Sequence, residues 1–96
     1  MGSFTIRVEL KEQTEKMRAE LHITMLENGF SRSVVCEKGI TYALPTNEFV
    51  YVGTEKIKNV MERVVSLAGN ISDGPSVLVT RSEERSWSGL RVVNLE

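Results

Sequence analysis

The sequence predicts an α+β fold in which a four-stranded antiparallel sheet carries two helices on one face and an extra C-terminal strand or arm. Three observations predict it. Apolar residues alternate with a period of two in separate short runs, two stretches switch to helical spacing and close on glycine, and the two kinds follow the order strand, helix, strand, strand, helix, strand.

The first strand is the plainest. Phe4, Ile6, Val8 and Leu10 alternate with Thr5, Arg7 and Glu9, the pattern of a strand with one buried and one wet face. From about Lys11 to Asn28 strong helix formers take over, with Glu12 and Glu15 in the first turns, where the helix dipole favours acids. Met17, Leu21 and Met25 form its buried stripe. Ala19, Ile23 and Leu26 form a second stripe on nearly the opposite side, which reads either as scattered surface residues or as a partner surface. Asn28-Gly29 supplies the left-handed stop.

From Phe30 the period returns to two. Phe30, Arg32, Val34 and Cys36 share a face, Glu37-Lys38-Gly39 makes a hairpin turn, and Ile40, Tyr42 and Leu44 form the returning arm until Pro45. Pro45 to Glu48 is a polar break, and Phe49 to Val52 is an apolar run with no partner evident from the sequence. Gly53-Thr54 opens the second helix with an N-cap hydroxyl, and Ile57, Val60, Met61, Val64 and Ala68 give its stripe before Gly69-Asn70 ends it. After the Asp73-Gly74-Pro75 turn, Ser76 to Arg81 reads as the fourth strand, and Val77-Leu78-Val79 suits a central place. Residues 82–96 regain apolar character at Trp87, Leu90, Val92, Val93 and Leu95, too much to leave in water, and are expected to form an edge strand or arm. This order is the split βαβ, or ferredoxin-like, arrangement, and residues 1–96 are expected to make one domain.

Composition narrows the chemistry. Twelve basic residues against thirteen acidic ones give no global attraction for a polyanion, so any such binding must come from a local patch. A single cysteine, Cys36, excludes an internal disulfide framework and fits a reducing compartment. No apolar run is long enough to span a membrane, and Met1 to Leu10 lacks the pattern of an export signal, so a cytoplasmic setting without membrane contact is expected. Zinc-protease, P-loop, nucleophile-elbow and dinucleotide motifs are absent, and no cofactor is expected. The wet face of the first strand is too poor in aromatic residues for an RNA-recognition motif. His22, the only histidine, is a candidate acid or base, or a surface residue of the first helix. Arg7 and Arg32, projecting from strands, suit phosphate contact or stabilisation of a charged phosphorus intermediate, with ion pairs to Glu9, Glu37 or Glu48 as the alternative. Arg81 and Arg85 with Glu83 and Glu84 read as a solvated charge cluster.

The segments SFTIRVEL, LHITMLENGFSRS, GITYALPTNEFVY and VLVTRSEERSWSGL resemble the GhoS-type antitoxins, endoribonucleases of type V toxin–antitoxin systems. The resemblance implies a ferredoxin-like fold akin to the small CRISPR-associated nucleases, cleavage of a toxin messenger RNA, and a bacterial cytoplasm. It makes Arg32, in its Gly29-Phe30-Ser31-Arg32 position, an RNA contact, and it makes Glu9 the candidate acid if the site takes a metal. The catalytic candidates are therefore His22, Arg32 and Glu9, and the nucleic-acid contacts Arg7 and Arg32. A homodimer is expected through the tail, with Trp87, Leu90 and Val92 at its interface. The rival expectation is a non-catalytic phage- or plasmid-encoded inhibitor that docks a protein through the first helix or the arm.

Overall fold

A computed structural model describes residues 1–93. The expected arm residue Leu95 lies outside them. β1 (Gly2–Glu9) is the centre of a three-stranded antiparallel sheet, between β4 (Glu48–Gly53) and β5 (Ser76–Arg81). Its alternation is realised as read: Phe4, Ile6 and Val8 are buried toward the helices, while Arg7 and Glu9 stand on the open face. Ile6 faces Phe49 on one side and Val79 on the other, so one row of inward residues crosses all three strands.

Helix α1 (Glu15–Glu27) starts later than expected. Thr14 is its N-cap and accepts a hydrogen bond from the Met17 amide at 3.1 Å, while Glu12 turns left-handed at φ 49° outside the helix. The cap hydroxyl decides the start against the helix-forming composition of residues 11–13. Leu21 and Met25 are fully buried, whereas Ile23 and Leu26 are more than half exposed. Gly29, at φ 89°, then turns the chain so that the Phe30 amide bonds back to Met25.

The hairpin forms as β2 (Ser33–Val35) and β3 (Thr41–Ala43), turning at Gly39 with φ 80°. It does not merge with β1, β4 and β5 into the expected four-stranded sheet. After Leu44 the chain leaves the ladder at Pro45, which has no N–H, and passes through Asn47 at φ 62°. It then returns as β4, the run whose partner the sequence left open, to pair with β1. A single bridge, with Ser31 and Val50 exchanging both backbone bonds at 2.8 Å, joins the two sheets.

Helix α2 (Ile57–Gly69) is capped at Lys56 without a side-chain bond, so the Thr54 hydroxyl expected there falls two residues short. Val60, Val64 and Ala68 are buried against the sheet. β5 takes an edge and not the central place its apolar run suggested: Val77 and Val79 are half-buried, and Leu78 is 63% exposed on the open face. The centre goes to β1 because its strict alternation buries every second side chain completely.

Beyond β5 the chain crosses the open face. The Ser82 amide bonds to the Ser3 carbonyl at 2.7 Å, and the far end reaches the outer edge of β3, where Val93 donates to Thr41 at 2.8 Å and Ala43 to Arg91 at 2.9 Å. The arm thus adds to its own hairpin. No helix among the described residues is long and apolar enough to cross a membrane.

Candidate nucleic-acid interface

Arg7 and Arg32 do not share a surface. Arg7 stands on the open face, 59% exposed, and pairs with Glu48 at 3.1 Å, one of the ion pairs weighed as its alternative. Arg32 turns to the helix side, where its Nη1 donates to the carbonyls of Pro45 at 2.7 Å and Glu48 at 2.8 Å. Its guanidinium lies 5.6 Å from the centre of the buried Phe49 ring. These contacts make Arg32 a clamp on the loop that separates β3 from β4. Burial, and then repulsion from Arg18, lower its pKa, with Glu48 opposing.

His22 meets the same ring edge-on, with centroids 5.9 Å apart. Its Nε2 is buried without a protein partner, as is Oδ1 of Asn47, while the Asn47 amide donates to Gln13. Burial, then Arg32, then Arg18 lower the imidazole pKa, with Asn47 acting in the opposite direction. Glu9 is exposed on the opposite face of β1, beside Arg7. The three catalytic candidates are therefore divided between two faces, His22 and Arg32 on one and Glu9 on the other. No group of three or more metal-ligating side chains is gathered among the described residues.

The open face holds a feature that the sequence reading placed in solvent. Arg85 donates from Nε to Thr5 Oγ1 and from Nη2 to Ser3 Oγ, both at 2.8 Å, and Thr5 in turn shares a 2.8 Å bond with Ser82. Two hydroxyls on β1 thus aim a guanidinium that has no carboxylate partner among the described residues. Burial lowers its pKa, yet a guanidinium stays charged in any protein setting. Arg85 borders a groove of about 550 Å³ between the arm and the sheet, lined also by Thr5, Thr80, Val34, Leu44 and the carboxylate residues Glu48 and Glu84. Trp87 stands between this groove and a second one beside Cys36 and Lys38, its ring centroid 5.7 Å from that of Tyr42. The expected interface residues Trp87, Leu90 and Val92 all make contacts within the chain: Leu90 lines the groove and Val92 bridges to Tyr42. Arg85 could have been found only by knowing where the arm crosses, since its neighbours Glu83 and Glu84 disguise it as surface charge.

No family model matches the chain. No curated protein matches it.

Proposed function

We propose that this protein is a small cytoplasmic RNA-binding protein that holds a single strand on the open face of its sheet. The observation that carries this reading is Arg85, an exposed guanidinium fixed by Ser3 and Thr5 with no ion-pair partner among the described residues, next to Trp87 in a groove that Glu48 and Glu84 also line. A positioned cation for phosphate beside an aromatic face for a base is how sequence-tolerant single-strand binders work. It supplies the local patch that the balanced net charge requires. The GFSR-type resemblance supports an endoribonuclease antitoxin as the wider role. The fold is read as ferredoxin-like on the β4-β1-β5 order, with the Ser31–Val50 bridge bringing the hairpin to the place of a fourth strand.

The test is incubation of the purified protein with single-stranded RNA across a salt series, with and without EDTA. Binding that weakens steeply with salt supports the reading, and cleavage abolished by EDTA assigns a metal to the reaction. Absence of both salt-sensitive binding and cleavage defeats it. One observation favours the rival protein-docking role: Ile23 and Leu26 leave an apolar stripe exposed on α1.

A further inference from the structure

β5 is an uncovered sheet edge, and its phase can be read directly. The Ser82 amide donates to Ser3, so Ser76, Leu78 and Thr80 direct their backbone groups at β1, while Val77, Val79 and Arg81 direct theirs outward. From Ser76 to Thr80 this edge has no charged residue, no proline and no bulge, and Pro75 and Arg81 bound the unprotected stretch at its two ends. Helix α2 packs on β5 from the inner face. Every residue of the strand retains solvent exposure, and Leu78 on the open face is 63% exposed.

We propose that this edge is a self-association surface, on which β5 of a second copy pairs antiparallel about a twofold axis at Leu78 to join the two sheets into one. The strand is self-complementary in this register. Val77 and Val79 of one copy exchange both backbone bonds with Val79 and Val77 of the other, so outward groups meet outward groups. On the open face Leu78 meets its own copy as a non-hydrogen-bonded pair, the closest cross-strand approach, and Ser76 faces Thr80. No like charges oppose. The register shifted to an axis at Val79 would set Leu78 against Thr80 and Val77 against Arg81, losing the apolar match. Because the axis runs perpendicular to the sheet, both open faces lie on one side of the dimer. The pairing leaves the arm on its own hairpin and stands whether or not RNA binds.

Sedimentation at tens of micromolar is expected to show a species of twice the 10.8 kDa chain mass. Leu78→Lys, at an exposed position, should convert it to a monomer with an unchanged far-ultraviolet circular dichroism spectrum. In a Cys36→Ser background, Leu78→Cys should form a covalent dimer under mild oxidation, because the axis places the two sulfur atoms together. Thr80→Cys, whose partner is Ser76, should not. A wild-type monomer throughout the concentration range, a Leu78→Lys dimer, or cross-linking of Thr80→Cys as readily as Leu78→Cys would overturn the proposal.

Discussion

Replacing Arg32 with alanine separates a structural clamp from a nucleic-acid contact. The substitution deletes both bonds from Nη1, to the Pro45 and Glu48 carbonyls, and the contact with the Phe49 ring. Each bond is charge-assisted but partly open to solvent, which brings it below the usual range for charged groups, to about 1 kcal/mol. The ring contact adds about 0.5 kcal/mol. The expected loss is therefore about 2–3 kcal/mol, a large share of the stability of so small a domain. In urea titration the midpoint should fall with an unchanged slope, and the thermal midpoint should drop by about 10–20 °C. RNA affinity measured well below that midpoint should stay at the wild-type value, since the guanidinium is spent on backbone. Arg32→Lys should recover only part of the stability, because an ammonium on a flexible stem cannot reproduce the fork geometry or stack as well. The reasoning is refuted if Arg32→Ala leaves the urea midpoint in place while lowering RNA affinity in a salt-dependent way.

Arg85→Ala should weaken RNA binding and lower the slope of log affinity against log salt by about 0.7, one single-strand phosphate contact; an unchanged slope removes Arg85 from the interface. His22 is held below its ordinary value of 6.5, so the unfolded chain binds more protons as pH falls through that value. Stability should be fully present above about pH 6.5 and decline on acidification, and His22→Gln should flatten this part of the profile in urea titrations at a series of pH values. Thr14→Ala removes the acceptor for the Met17 amide and should cost about 1 kcal/mol, read as a shifted urea midpoint, with Thr14→Ser restoring most of it.

The parts of the fold that the sequence made legible are those decided by neighbours in the chain. The alternation of Phe4, Ile6 and Val8, the Met17–Leu21–Met25 stripe and the glycine stop at Gly29 each follow from local geometry. The choice of β4 over β3 as the partner of β1 is a different matter. One run alternates and the other is continuously apolar, yet both read as strands, and the outcome turns on a proline and a left-handed asparagine whose effect depends on what receives the chain afterwards. Helix starts were misplaced for a related reason: composition is averaged over many residues, whereas a cap is one side chain meeting one amide, present at Thr14 and absent at Thr54. The arginines show the limit most clearly. The partners of Arg32 are backbone carbonyls, which no residue pattern advertises, and those of Arg85 lie at the other end of the chain.

The central position of β1 constrains the order in which this protein can assemble. Its two neighbours, β4 and β5, are both synthesised long after it, and the last of them ends at Arg81. Until β4 is made Phe4, Ile6 and Val8 have no strand to pair with, and until β5 is made one edge of β1 stays open. The nascent chain must carry an apolar strand with both edges open while α1 and the β2–β3 hairpin emerge, and with one edge open while α2 follows. Closing the longest loops late is slow, because the entropy of bringing distant segments together is lost before their contacts form. The sheet is therefore completed only when β5 arrives, and the interval before that is when the chain is most exposed to aggregation and to chaperone capture.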